Sequence, residues 1–301
     1  MTQEHRFIFV AGLHRSGTSL TFRTLRDHSK ISGFRFPMGA EKGHEGQHRQ
    51  SVYPPDTQNG GVGYFCFEPK AHLTESSTLA TPANAKRLFD QWSQFWDLSK
   101  PYLLEKSPPN LIMTRFLQHL FPETYFVVIV RHPVAVSLAT LKWMGWPRHF
   151  LDYDAGSDTN EGYRIRRAVK SDNPLFMKDK RLFMESMLFT LFDHWRAAHE
   201  IFLDDREYLK RVSLIRYEDL VSEPESTIAR LFEFLELENE NLPAEDQVED
   251  HNAGYMSQWT DFLADEANPR FKSLIGRRFN QHFEKFGYSV SDQMVRQAAL
   301  T

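Results

Sequence analysis

Residues 7–20 read FIFVAGLHRSGTSL, which places an apolar run, a glycine-containing loop and the start of a helix in direct succession. The run Phe7–Val10 predicts a buried strand. The first N–H groups of a helix lack intrahelical partners, and the helix dipole favours an anion at that end. The stretch therefore predicts an anion-binding loop at the end of the first strand of an α/β fold.

The spacing of this loop follows the P-loop pattern G-x-x-x-x-G-K-[ST] at Gly12, Gly17 and Ser19. Thr18 stands where that pattern has the lysine that reaches the β- and γ-phosphates of a nucleoside triphosphate. This substitution argues against ordinary ATP or GTP hydrolysis. Arg15 offers a cation from inside the loop instead, so a different anion is expected.

Composition suits a globular protein that binds anions locally. The 301 residues are 41% hydrophobic, which is ample for a sizeable core in one large domain or two small ones. The net charge of −4 gives no overall attraction to nucleic acid or to anionic membranes. We therefore expect no nucleic-acid partner, and basic residues should gather at one site.

The single cysteine, Cys66, excludes an intramolecular disulfide and a cysteine-rich zinc site. The N-terminal apolar run is too short for the core of a signal peptide. No stretch approaches the ~20 apolar residues that a membrane helix needs. These features predict a soluble, cytoplasmic protein without a membrane span.

Three further strands are predicted, at 102–104, 125–130 and 212–215. Helical apolar stripes alternate with them, which predicts a three-layer α/β domain with a central parallel sheet over residues 1–301. The loops after parallel strands meet at one edge of the sheet. Four candidate ligand-binding side chains should converge there: Arg15, Lys106, Arg131 and Tyr217.

Two irregular regions and the last helix complete the prediction. The segment from Pro37 to about Gly63 is too long for a simple connection and should face a substrate. The polar insertion at 151–174 is interpreted first as a solvated loop, with closure over a substrate as the alternative. A final helix should carry Phe279, Phe283 and Phe286, pack on the sheet and stop at Gly287.

The motifs resemble those of the sulfotransferases that use 3′-phosphoadenosine 5′-phosphosulfate (PAPS). The run from Arg15 to Ser19 matches the first signature of that family, and 131–137 looks like the second. The stretch 105–108 is similar to the Glu-Lys-Ser/Thr-Pro stretch of the heparan-type branch. The segment 216–220, followed by a helix that begins with proline, is similar to one found in many members. The resemblance covers about Phe7 to Leu237.

The resemblance implies roles for individual residues. Residues 15–19 (Arg15, Ser16, Gly17, Thr18 and Ser19) would hold the 5′-phosphosulfate, and Arg131 with Ser137 would hold the 3′-phosphate. Tyr217 would lie near the adenine. The glycine-rich C-terminal loop of the cytosolic small-molecule branch has no match here. The chain therefore looks like a bacterial-type member nearer the carbohydrate and tyrosylprotein branches.

The implied reaction is in-line transfer of a sulfuryl group from PAPS to an acceptor hydroxyl or amine, which leaves 3′-phosphoadenosine 5′-phosphate (PAP). Arg15 and Lys106 would neutralise the departing phosphate oxygen. The base is expected among Glu41, His44, Glu45 and His48. We favour Glu45, provided that burial raises its pKa toward neutrality, with His48 second. No metal is expected.

Two other functions stay open at this point. A P-loop-like kinase of a small metabolite fits the loop spacing but not Thr18. A protein that binds a nucleotide without catalysing a reaction would also account for the loop. Neither the acceptor nor the oligomeric state follows from the sequence.

Overall fold

The computed structural model describes residues 5–35, 45–144, 180–244, 248–264 and 269–290. The chain divides into two compact units. Unit 1 comprises 1–131 with 197–250, and unit 2 comprises 132–196 with 251–301. The predicted single domain over 1–301 stays a prediction.

Unit 1 contains a five-stranded sheet in which every neighbouring pair is parallel, in the order β2-β3-β1-β4-β5. The strands are β1 Arg6–Ala11, β2 Ile31–Gly33, β3 Tyr102–Lys106, β4 Thr124–Val130 and β5 Val212–Arg216. The apolar residues of β1 to β4 are buried, as in a sheet covered on both faces, whereas those of the edge strand β5 are half-buried. The predicted α/β class with a central parallel sheet is confirmed.

Both units contain helices among their described residues. In chain order they are α1 Thr18–Arg26, α2 Pro82–Trp92, α3 Thr114–Leu120, α4 Pro133–Trp143, α5 Lys180–Arg206, α6 Tyr217–Ser222, α7 Pro224–Phe234, α8 Asn252–Ala264 and α9 Pro269–Phe283. Short 3₁₀ turns occupy the segment between β2 and α2, at 46–48, 56–58, 65–67 and 69–71. No helix among the described residues is long and apolar enough to cross a membrane.

Helices cover both faces of the sheet in unit 1. Phe9 of β1 packs against Trp92 of α2, with 6.0 Å between ring centroids. On the opposite face, Tyr125 of β4 contacts Phe234 of α7 at 5.5 Å. The Tyr102 hydroxyl also donates a hydrogen bond to the Leu235 carbonyl oxygen at 2.7 Å. The predicted three-layer arrangement is therefore present.

Three local features differ from the sequence-based prediction. Strand β2 was not predicted, because its three residues include Ser32 and Gly33, which carry no strand signal. Lys106 is the last residue of β3 rather than part of the following loop. Tyr217 begins α6 directly after β5, where a loop was expected.

Unit 2 is helical over its described residues. Aromatic rings hold the last helix to α5: Phe283 of α9 contacts Phe192 and Trp195 at 5.9 and 5.0 Å between centroids. Gly287 then adopts a left-handed conformation (φ 74°), which ends the helical segment as predicted. Within this unit the aromatic face of the last helix packs on α5, and its predicted packing on the sheet stays a prediction.

Candidate functional site

The loop between β1 and α1 has the geometry of an anion cradle. Arg15 and Gly17 both adopt positive φ angles, of 66° and 107°. The Ser16 hydroxyl and its backbone N–H donate to the Leu13 carbonyl oxygen, at 2.6 and 3.1 Å, which fixes the turn. No side chain caps the start of α1, and its first turn carries no acidic residue. Its leading N–H groups are therefore available to an anion.

Gly17 is required where the loop crosses the ends of two other strands. A Cβ atom there would lie 2.7 Å from the Tyr217 ring and 3.0 Å from Cδ1 of Ile129. The positive φ angle independently favours glycine. The anion loop is therefore pressed against the carboxyl ends of β4 and β5.

Arg131 contacts both the anion loop and the Tyr217 ring. It directly follows β4, is only 5% exposed, and its Nη1 atom donates to the carbonyl oxygen of Arg15 at 2.8 Å. The guanidinium carbon lies 4.0 Å from the centroid of the Tyr217 ring, a cation–π contact. Of the four side chains predicted to converge, those of Arg131 and Tyr217 therefore meet at the loop. Arg15 contributes its backbone carbonyl oxygen, while its side chain and that of Ser19 are exposed.

Lys106 ends β3 beside the central strand, at the level of Val10 in β1. It is 4% exposed, and its Nζ atom lies 2.7 Å from Oε1 of Glu45. The Gln47 amide donates to the other carboxylate oxygen of Glu45 at 2.6 Å. The predicted leaving-group cation and the favoured base thus form an ion pair.

The pKa of Glu45 is lowered, whereas its predicted role as the base requires a raised pKa. Burial acts to raise the pKa, but the charges of Lys106 and His14 and the hydrogen bonds from Lys106 and Gln47 outweigh it. The expectation that burial raises the pKa of Glu45 toward neutrality is therefore wrong. Its carboxylate is ionised near neutral pH and already neutralises Lys106.

Glu105 is a residue whose structural role the sequence did not reveal. It is fully buried, and its carboxylate accepts hydrogen bonds from the Gly46 N–H, the Ser107 hydroxyl and the Asn110 amide, at 2.7, 2.6 and 2.7 Å. A Cβ atom on Gly46 would lie 2.7 Å from this carboxylate. Glu105 therefore anchors the 46–48 turn to β3 and holds Glu45 beside Lys106.

Burial raises the pKa of Glu105 to about 7, against 4.5 for an exposed glutamate. Between these pH values the folded chain binds more protons than the unfolded chain, so the free energy of unfolding should fall as pH rises from about 4.5 to 7. The full shift corresponds to about 3 kcal/mol. Glu105→Gln should remove this component, which urea unfolding at pH 5 and pH 8 would measure. An equal pH dependence in both proteins would contradict it.

A second acidic residue, Asp56, was also missed. Its Oδ2 atom lies 3.0 Å from Nε2 of His14, the residue before Arg15. His48 lies nearby, with Nε2 3.9 Å from Oδ1 of Asp56 and 3.8 Å from Oε2 of Glu45. Only the position of His14 inside the loop motif could have drawn attention to this cluster.

Ser137, Glu41, His44 and the insertion at 151–174 were also predicted as candidates for the site. Ser137 belongs to α4 in unit 2, where its hydroxyl is buried and no described residue forms a hydrogen bond with it. Glu41, His44 and the insertion at 151–174 lie outside the described residues. Within the described ranges, no cluster of His, Cys, Asp and Glu side chains is arranged to hold a metal ion.

Fold and site together define a parallel α/β protein with a glycine-containing loop between its first strand and its first helix. The model of the sulfotransferase family matches residues 8–241, most of the 301-residue chain. The chain therefore belongs to the sulfotransferase family, as the sequence motifs indicated. No curated protein matches it in sequence.

Solved structures similar to this chain include three bacterial sulfotransferases. STF1 from Mycobacterium tuberculosis is 16% identical over 93% of this chain and 78% of its own, with a TM-score of 0.48. STF9 from Mycobacterium avium is 11% identical over 86% and 76%, with a TM-score of 0.48. The enzyme from Alicyclobacillus acidocaldarius is 17% identical over 93% and 99%, with a TM-score of 0.42. At these sequence identities and TM-scores, the similarities assign no role to any residue of this chain.

Proposed function

We propose that this sulfotransferase transfers a sulfuryl group from PAPS to an acceptor hydroxyl or amine. One observation carries the proposal: buried Arg131 links the backbone of the Arg15 loop to the Tyr217 ring at an uncapped helix start. A cation, an aromatic ring and free N–H groups are the partners that a phosphorylated adenosine requires.

The residues present fit such a donor. The loop Arg15–Ser19 would bind the 5′-phosphosulfate through the N–H groups at the start of α1. Arg131 would bind the 3′-phosphate, and Tyr217 would contact the adenine. Ser137, with its buried hydroxyl and no described partner, remains a sequence-based proposal for the same 3′-phosphate.

Bound PAPS supplies an activated sulfuryl group whose transfer leaves negative charge on a phosphate oxygen. Lys106 is buried and rigidly placed at the end of β3, so it could stabilise that charge without first reorganising. Arg15 is exposed on the loop and could approach the same oxygen. Glu45 holds the Lys106 ammonium until the donor binds, and the two anions would then compete for it.

Glu45 and His48 are the candidates for the base that the sequence singled out. The ion pair with Lys106 makes Glu45 a weaker base than an isolated carboxylate, because the same charge that lowers its pKa reduces its proton affinity. His48 is more exposed, and its ring lies at ion-pair distance from two carboxylates.

The kinase alternative receives no support from the described site. Thr18 provides no cation where a P-loop lysine would stand. A cytoplasmic location also stays a proposal from the sequence.

The direct test is turnover of radiolabelled [³⁵S]PAPS with a panel of phenols, sugars and amines as acceptors. The proposal predicts stoichiometric formation of PAP and a labelled product with at least one of them. PAP binding without turnover on any acceptor, including water, would support the non-catalytic alternative.

A further inference from the structure

His14 and Asp56 form a hydrogen-bonded pair in which the donor atom can be identified. His14 Nε2 lies 3.0 Å from Oδ2 of Asp56, which is only 3% exposed. Burial acts to raise the pKa of Asp56, but the hydrogen bond and charge of His14, with smaller contributions from His48 and Thr57, lower it overall. Because the ionised carboxylate can only accept hydrogen bonds, Nε2 of His14 must carry the proton.

The other ring nitrogen of His14 is therefore an acceptor whenever the imidazole is neutral. This Nδ1 atom is buried, and no described residue forms a hydrogen bond with it. A buried polar atom without a partner destabilises the folded chain. Such atoms are uncommon in folded proteins and call for a ligand or an ordered water.

The surroundings of His14 place it at the proposed transfer site. It precedes Arg15 in the anion loop, and its charge contributes to the lowered pKa of Glu45, which lies 2.7 Å from Lys106. The ring of buried Phe65 contacts the imidazole at 5.7 Å between centroids. The side chain of His14 is nevertheless 15% exposed.

We propose that His14 is the catalytic base and that Asp56 is its positioning residue, an inference that rests on the proposed sulfuryl transfer. As the acceptor oxygen forms its bond to sulfur, the acceptor proton moves to Nδ1 of His14. The bond between sulfur and the bridging oxygen breaks, and its electron pair stays on the phosphate of PAP. Asp56, at Nε2, stabilises the imidazolium that results.

Glu45 holds Lys106 in an ion pair, whereas His14 is placed to accept a proton. Glu45 is ionised but is engaged by Lys106 and Gln47, whereas Nδ1 of His14 has no described partner. In the described part of the chain, the titratable groups that interact with His14 are Asp56, Glu45 and, through Asp56, His48, and Arg15 is its neighbour in sequence.

The first test is the tautomer of His14 in the full chain, read from ¹⁵N chemical shifts of labelled histidine rings. His14→Gln identifies the signal by its loss. The proposal predicts that neutral His14 carries its proton on Nε2, which leaves Nδ1 as the acceptor. A neutral ring with the proton on Nδ1 would overturn it. This measurement needs neither PAPS nor an acceptor.

The second test uses PAPS with water as the acceptor in single-turnover hydrolysis, which requires no knowledge of the natural acceptor. His14→Gln keeps a donor for Asp56 but lacks the imidazole. It should reduce the rate by ~10²-fold or more, the lower range for general acid–base catalysis, while the Kd of PAP stays unchanged. The fall in rate at acidic pH should also disappear in this variant.

Two further variants test whether His14 or another residue is the base. Asp56→Asn retains the imidazole and should weaken turnover less than His14→Gln does. Glu45→Gln should keep the acidic limb of the rate profile, because the base is still present. Loss of that limb in Glu45→Gln, with its retention in His14→Gln, would transfer the role to Glu45 and refute the proposal. A wild-type chain that does not turn over PAPS would instead refute the proposed function, whatever the tautomer of His14.

Discussion

Arg131→Ala should weaken PAP binding by ~1.5–3 kcal/mol, the range for a charge-assisted hydrogen bond. This corresponds to a ~10- to 150-fold rise in Kd. The reason is that a buried guanidinium beside Tyr217 is well placed to receive a phosphate, and no other cation follows β4 directly. Isothermal titration calorimetry with PAP would measure the loss.

The control for Arg131 is a ligand without the 3′-phosphate. Adenosine 5′-phosphosulfate should bind the wild type and Arg131→Ala with nearly equal affinity. Because Arg131 also donates to the Arg15 carbonyl oxygen, the thermal stability of the variant should be measured in parallel. Equal losses for both ligands in a folded variant would show that Arg131 supports the loop and does not recognise the 3′-phosphate.

Lys106→Ala should reduce kcat by ~10²-fold or more, as the loss of one preorganised group at a developing negative charge does. Since that charge develops in the transition state, PAPS binding should weaken far less than turnover. The comparison needs kcat and the Kd of PAP for wild type and variant, with the acceptor that supports turnover.

The matched control for Lys106 is Lys86→Ala. Lys86 also forms an ion pair, with Asp90, but its side chain is 76% exposed on α2. Its removal should leave both constants within about twofold, because exposed ion pairs contribute little. A Lys106→Ala variant with a raised KM for PAPS and an unchanged kcat would make Lys106 a ground-state anchor and would end its catalytic assignment.

The sequence predicted those parts of the site that depend on local pattern. Strands such as β4 are continuous apolar runs, and the side chains that follow them in a parallel sheet must meet at one edge. For this reason the amino-acid sequence alone could predict that Arg131 and Tyr217 meet beside the loop that contains Arg15. The family could likewise be expected, since its signatures lie at these same strand ends.

The rest of the site depends on contacts between residues distant in the sequence. Glu105 accepts from Gly46, 59 residues earlier, and His14 meets Asp56 across an irregular segment built of short 3₁₀ turns. No hydrophobic period or turn motif specifies how such a segment folds back. The lowered pKa of Glu45 escaped prediction for the same reason, because it depends on the exact place of Lys106.

The central claim is that the loop and its neighbours recognise a 3′-phosphorylated adenosine rather than a nucleoside triphosphate. Parallel calorimetric titrations of the wild-type chain with PAP and with ATP plus Mg²⁺ test it most directly. We predict binding of PAP at least ~100-fold tighter than that of ATP, a difference of about 2.7 kcal/mol. Tighter binding of ATP with Mg²⁺, or no measurable binding of PAP, would contradict the claim.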